Sequence, residues 1–135
     1  MPVVYLPHGG GPWPFMQDSV LANARMYAKM TEYLEALPNV APTEPEAIVV
    51  ISAHWEEREA TVMSAPNPTM LYDYSGFPPE TYEIVWPAPG CPELALAIIE
   101  LLEDAGIGCS ADGKRGFDHG AFVPLKVAYP EPFIP

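Results

Sequence analysis

The sequence predicts an α/β fold in which a mostly parallel sheet carries helices on both faces. Short apolar, β-branched runs alternate along the chain with segments whose apolar residues recur about every 3.6 positions. Residues 46–53 form a continuous apolar run without alternation, which is typical of a central parallel strand buried on both faces. The 135 residues contain no internal repeat or linker, so a single domain spanning residues 1–135 is expected.

The first half of the chain supplies two strands and one helix in this prediction. Residues 3–6 indicate a strand that ends at a proline and leads directly into a glycine-rich loop. A helix should begin at Asp18 or Ser19, either of which is a suitable N-cap, and should stop at Pro38. The apolar face of this helix is expected at Leu21, Met26, Tyr27, Met30, Tyr33, Leu34 and Leu37. The central strand at residues 46–53 follows, with His54 at its carboxyl end.

The middle of the chain contains a long connection and the clearest helix. A weaker strand is predicted at residues 60–64, and residues 66–89 are expected to be mostly irregular because proline and tyrosine dominate them. Residues 92–105 predict a helix, with Pro92 in its first turn and Gly106 as its stop. Its apolar face comprises Leu94, Ala95, Ile98, Leu101 and Leu102.

The last part of the chain repeats the alternation of strand and helix. A short strand is predicted at residues 107–110, a turn at 116–120 and a helix at 121–128. Residues 133–135 are apolar and resemble the start of a further strand. Because a finished domain usually has a polar, fraying end, we expect this fold to be cut short at its carboxyl side.

Composition excludes several classes of protein. Six basic and 18 acidic residues give a formal net charge of −12, which would repel nucleic-acid phosphates and anionic lipid surfaces. No apolar run reaches the roughly 20 residues that a bilayer requires, and the amino terminus lacks the basic region of a secretory signal. We therefore expect a cytoplasmic protein without nucleic-acid or membrane partners.

The three histidines carry most of the functional information. His8 precedes three glycines, His54 ends the central strand, and His119 follows a Gly-Phe-Asp turn. An α/β fold can bring all three to one edge of its sheet, where such folds place ligands. Neutral imidazole binds transition metals and transfers protons near neutral pH, so a metal or acid/base site is predicted. Any one histidine, taken alone, is at least as readily a hydrogen-bonded structural residue.

The neighbours of these histidines permit more than one function. The glycines after His8 allow a sharp turn and close approach of a ligand, but they also join strands to helices in many proteins. They lack the spacing of a nucleotide loop, so a metal ligand is favoured over phosphate binding. Asp118 is a candidate partner that orients His119. Tyr72, Tyr74 and Phe77 could line a pocket for a planar ring or simply pack the loop.

Five segments together resemble the class III extradiol ring-cleavage dioxygenases, in particular the branch similar to DOPA 4,5-dioxygenase. They cover essentially the whole chain in order. The segments are His-Gly-Gly-Gly-Pro at 8–12, Ser-Ala-His-Trp-Glu at 52–56, Tyr-Asp-Tyr-Ser-Gly-Phe-Pro-Pro-Glu-Thr-Tyr at 72–82, Trp-Pro-Ala-Pro-Gly-Cys-Pro-Glu-Leu-Ala at 86–95, and Gly-Phe-Asp-His-Gly-Ala-Phe-Val-Pro-Leu at 116–125.

The resemblance implies a non-haem Fe(II) enzyme that opens a catechol-type ring with dioxygen. His8 and His54 would be metal ligands, and His119 would be the catalytic acid/base. Tyr72, Tyr74, Phe77 and Asp118 are the expected substrate-binding residues. Members of the family are longer, and their third metal ligand lies further along than residue 135, so this chain resembles their N-terminal portion. A facial iron site needs that third ligand.

Two other hypotheses fit the same residues. Zn(II) also takes histidine and carboxylate ligands and activates water, so a zinc-dependent hydrolase-type site is one alternative. The other is a non-catalytic fragment that self-associates through an exposed sheet edge, and a homo-oligomer is left open by every hypothesis. Metal identity would separate the first two, and absence of turnover with any metal would favour the third.

Overall fold

The structure, a computed structural model, describes residues 2–16, 24–132 and 134–135, which contain three α-helices, two β-strands and three short 3₁₀ helices. The α-helices and strands are helix α1 (Ala24–Glu35), strand β1 (Ala60–Met63), helix α2 (Pro92–Asp104), strand β2 (Cys109–Asp112) and helix α3 (His119–Ala128). The two strands pair in parallel. The predicted α/β class is confirmed, whereas helices on both faces of the sheet stay a prediction.

The two-stranded sheet and α2 form one supersecondary unit. Ala60 of β1 pairs with Cys109 of β2, and α2 packs against both strands as the crossover between them. Gly106 adopts a φ of +74°, and its N–H donates to the Glu103 carbonyl while Ile107 N–H donates to Leu102. This Schellman motif ends α2 where the sequence predicts and turns the chain into β2. β2 begins two residues later than predicted.

One residue of the predicted apolar face of α2 does not face the sheet. Leu101 is 70% exposed, whereas Ala95 is buried and Leu102 is half-buried. Neighbouring residues in a helix differ by about 100° in direction, so Leu101 lies at the edge of the stripe centred near Leu102. Leu101 therefore contributes little to the packing of α2.

The main hydrophobic core lies between α1 and α3 rather than around the sheet. Leu34 of α1 and Phe122 and Val123 of α3 are completely buried. Trp13 is buried in the same core and stacks on Tyr27 of α1 with 4.5 Å between ring centroids. α3 begins at His119, two residues before the predicted start, because Asp118 caps it. The core thus holds α3, and with it His119, in place.

Two predicted strands are not formed. Ile51 is 96% exposed, and within the described ranges no sheet ladder forms on residues 46–53. A strand needs backbone partners, and the one hydrogen bond from the backbone of this segment to a distant described backbone group runs from Ile48 N–H to the Pro135 carbonyl at 2.8 Å. Residues 3–6 likewise join no sheet ladder among the described residues, and Val3 is 93% exposed. The prediction of a central strand buried on both faces is therefore wrong for this structure.

Some predictions fall outside the described residues. The N-cap at Asp18 or Ser19, Leu21 and Phe133 lie in the omitted stretches, and the side chain of Met26 is also outside the description. Where the structure is described, none of the helices has the length and apolar character to traverse a bilayer. Cys91 and Cys109 are both free thiols.

Candidate metal centre

His8 is held by the glycine loop that follows it. Gly9 and Gly11 have φ values of +70° and +56°, a region that side chains other than glycine rarely adopt. A Cβ atom on Gly9 would lie 2.5 Å from the Trp13 indole, whose Nε1–H donates to the His8 carbonyl at 2.6 Å. The loop therefore needs glycine to fold back over Trp13 and present the His8 ring.

His54 lies in the turn after residues 46–53 and is anchored through its backbone. Ser52 Oγ accepts a hydrogen bond from His54 N–H at 3.2 Å and donates to Asp118 Oδ1 at 2.8 Å. Arg115 donates to the His54 carbonyl at 3.3 Å. A Cβ atom on Gly120 would lie 2.7 Å from His54 Cδ2, so the ring packs directly on a glycine of α3.

His119 is the first residue of α3 and is almost fully buried. Asp118 precedes it as the N-cap, with Oδ1 accepting from Ala121 N–H at 3.1 Å. An N-cap carboxylate satisfies a backbone donor that has no partner within the helix, so the helix starts at a defined residue. His119 is consequently fixed in direction by the helix, with a ring that is 8% exposed.

The structure brings the three histidines together in one cluster. His8 Nε2 and His54 Nε2 lie 3.0 Å apart, and ring centroids are separated by 5.1 Å for His8 and His119 and by 4.2 Å for His54 and His119. One nitrogen from each ring lies within 4.8 Å of the others. Nitrogens bound to one metal at about 2.1 Å lie roughly 3.0 to 3.4 Å apart, so the cluster approaches the spacing of a ligand set.

The electrostatics of His8 fit a metal ligand. Burial lowers the pKa of His8, and the nearby His54 and His119 lower it further. His8 Nδ1 is buried and has no hydrogen-bond partner among the described residues. A neutral ring with an available nitrogen is the form in which histidine binds metals. The donor set therefore fits a transition metal such as iron or zinc.

Asp73 is the functional residue that sequence reasoning missed. Its Oδ1 accepts from His119 Nδ1 at 2.8 Å and from His119 N–H at 2.8 Å, and its Oδ2 lies 3.3 Å from His54 Nδ1. Burial alone would raise the pKa of Asp73, but these contacts from His119 outweigh it and lower the pKa. Histidine ligands usually donate their outer nitrogen to a carboxylate, and a search for that partner in the Tyr72–Tyr74 stretch could have found it.

The residues predicted to bind substrate have different environments. Tyr74 packs its ring against His119 with centroids 5.7 Å apart, and Phe77 packs against Tyr74 at 5.4 Å. The Tyr72 hydroxyl donates to the Ile84 carbonyl and the Tyr74 hydroxyl donates to Thr81. Both hydroxyls are thus used within the loop, so these tyrosines offer ring surface. Asp118 is 2% exposed and bonds Ser52, Arg115 and the start of α3.

Comparison with known proteins identifies the family. Residues 3–135 match the family described as the catalytic LigB subunit of aromatic ring-opening dioxygenase. The chain belongs to this family, which confirms the resemblance to the class III extradiol dioxygenases.

Alignments with several curated relatives cover between 68% and 100% of this chain. Dioxygenase tasH of Hapsidospora irregularis is 38% identical over 137 residues, which cover 99% of this chain and 42% of that protein. The 4,5-DOPA dioxygenase extradiol of Escherichia coli (strain K12) is 38% identical, over 100% of this chain and 45% of that protein. The protein of the same name from Beta vulgaris is 47% identical, over 68% of this chain and 35% of that protein. The chain therefore spans less than half the length of these relatives.

Proposed function

We propose that the protein carrying this chain cleaves a catechol-type aromatic ring beside its two hydroxyls, using dioxygen and non-haem Fe(II). The observation that carries the proposal is the cluster of His8, His54 and His119, with a carboxylate behind two of the rings. Family membership and relatives named as dioxygenases support the same reaction.

In this proposal His8 and His54 hold the metal, and a further ligand comes from residues beyond position 135. The half of each relative that this chain does not cover leaves room for that ligand. Bound Fe(II) would supply the redox chemistry that lets a catechol react with dioxygen. The neutral state favoured for His8 suits a ligand, because protonation would block metal binding.

His119 is the proposed acid/base. Its Nδ1 is engaged by Asp73, so Nε2 is the nitrogen that can accept a proton from a catechol hydroxyl and return it later. Burial of His119 limits competing exchange with water. The ring faces of Tyr74 and Phe77 provide an apolar wall for a planar substrate.

The experiment measures oxygen consumption with catechols by the full-length Fe(II)-loaded protein, together with its iron content. We expect His8→Ala and His54→Ala to lose iron and turnover together. His119→Ala should lose turnover by about 10²- to 10⁴-fold while retaining iron, as expected for removal of an acid/base. Asp104→Asn, at the exposed end of α2, is the control and should change neither quantity.

Two outcomes would contradict the proposal. Loss of iron on His119→Ala would show that His119 is a ligand rather than the acid/base. The second outcome is a protein that contains zinc after expression without added metal, hydrolyses esters and consumes no oxygen. That result would favour the zinc-dependent hydrolase alternative. The proposed absence of nucleic-acid and anionic membrane partners is supported by the net charge of −12.

A further inference from the structure

We propose that Asp73 is a positioning residue that sets the tautomer of both His54 and His119 through one shared carboxylate. Asp73 would thereby place a lone pair on Nε2 of both rings, on the side of the cluster, where His54 Nε2 lies 3.0 Å from His8 Nε2. That these lone pairs bind a metal or accept a substrate proton rests on the proposed function. The tautomers themselves can be measured without metal or substrate.

The donor and acceptor chemistry requires this arrangement. An ionised carboxylate only accepts hydrogen bonds, and a neutral imidazole carries a proton on one nitrogen and a lone pair on the other. His119 Nδ1 lies 2.8 Å from Asp73 Oδ1, so the proton of that ring belongs on Nδ1. His54 Nδ1 faces Oδ2 of the same carboxylate at 3.3 Å, which favours the same tautomer.

The two rings are not held equally. Asp73 Oδ1 receives two contacts of 2.8 Å, from the ring and from the backbone N–H of His119. Oδ2 has the single longer contact with His54. Asp73 should therefore control His119 strongly and His54 more weakly.

No other described carboxylate can take this role. Asp118 is adjacent to His119 in sequence, but its Oδ1 is bonded by Ser52 and the α3 backbone, and its Oδ2 by Arg115. Asp73 reaches both rings because the long connection at residues 66–89 lies over the start of α3. Leu71 N–H of this connection donates to the Phe117 carbonyl at 2.7 Å.

An amide of the same shape separates the two contacts. In Asp73→Asn, one side-chain atom still accepts but the other donates, so only one ring can keep its proton on Nδ1. Because the His119 backbone N–H also needs an acceptor, the amide oxygen should stay on His119. The NH₂ group then faces His54 Nδ1 and shifts the His54 proton to Nε2.

The test records imidazole ¹⁵N NMR spectra of the metal-free full-length protein that carries this chain, near pH 8, where unperturbed imidazole is neutral. We expect the unmodified protein to have both His54 and His119 protonated on Nδ1. Asp73→Asn should change His54 alone, and Asp73→Ala should release both rings. Asp104→Asn is the matched control, and backbone amide spectra of each variant report whether the fold is retained.

Titration with Zn(II) alone gives a second readout. Loss of a carboxylate behind a histidine ligand typically costs 10- to 100-fold in metal affinity, so we expect a loss of about that size for Asp73→Asn. Asp104→Asn should bind Zn(II) as the unmodified protein does.

The outcomes separate this inference from the proposed function. A His119 ring protonated on Nε2 in the unmodified protein would overturn the inference even if every variant failed to fold. Unchanged tautomers in a folded Asp73→Ala variant would overturn it as well. The expected tautomers in a protein that cleaves no catechol would uphold the inference and refute the proposed function.

Discussion

Gly120→Ala tests whether close packing of α3 on His54 sets the geometry of the site. The added Cβ would lie 2.7 Å from His54 Cδ2, 3.2 Å from Asp118 Oδ1 and 3.3 Å from Ser52 Oγ. The ring of His54 must therefore retreat by about 0.8 Å to reach the roughly 3.5 Å at which carbon atoms pack. That movement is about a quarter of the 3.0 Å between His54 Nε2 and His8 Nε2.

Two opposing effects act on the free energy of unfolding. Alanine gains up to about 1 kcal/mol over glycine in a helix. The displaced His54 ring is 30% exposed and can move toward solvent, so its displacement costs little stability. We expect the free energy of unfolding to change by about 1 kcal/mol or less, whereas a displacement near 1 Å lowers turnover by about 10²-fold.

Urea unfolding, metal titration and oxygen uptake together decide the prediction. Gly108→Ala is the matched control, because its Cβ would meet only Glu59 Oε2 at 3.9 Å. A Gly120→Ala protein that unfolds like the parent and keeps full metal affinity and turnover would refute the argument that this contact sets the position of His54.

Three further predictions concern stability. Phe122→Ala removes a completely buried ring and should lower the free energy of unfolding, measured in urea titrations, by about 3 to 5 kcal/mol. Leu101 is 70% exposed, so Leu101→Ala should change the free energy of unfolding by no more than about 0.5 kcal/mol. Asp118→Ala loses the α3 cap and removes the carboxylate partner of the Arg115 guanidinium, so we expect a loss of about 2 to 4 kcal/mol, and a smaller loss for Asp118→Asn. Burial raises the pKa of Tyr74 to about 12. Folding favours the neutral phenol, so the contribution of Tyr74 to the free energy of unfolding is complete below pH 10 and is lost as the pH rises to 12. Between pH 10 and 12 the free energy of unfolding should therefore fall less in Tyr74→Phe than in the parent. An equal fall in both proteins would contradict the raised pKa of Tyr74.

The elements that local chemistry specifies could be predicted from the sequence. α2 has proline at its start and glycine at its end, and both of its boundaries lie within a residue of the prediction. β1 and β2 also lie close to their predicted positions, because short β-branched or apolar runs bounded by turns are local signals. The clustering of the three histidines agrees with the prediction, although the strands expected before His8 and His54 do not form in the described residues.

Features that depend on distant partners could not be predicted. Residues 46–53 have the composition of a buried strand, but a strand forms only where other backbone groups complete its ladder. Asp73 lies 46 residues from His119 and has no spacing signature that links the two. Its role becomes visible only when the connection that carries it is placed over the start of α3.

Asp118 also determines how the site comes apart. Its carboxylate joins the first turn of α3 to Ser52 and Arg115, both of which hold the backbone of His54. Helix ends open far more often than whole domains unfold, so fraying of this one turn would release His119 and loosen His54 in the same event. The lifetime of the assembled centre is therefore governed by local opening at Asp118, and hydrogen exchange of the Ala121 amide reports how often that opening occurs.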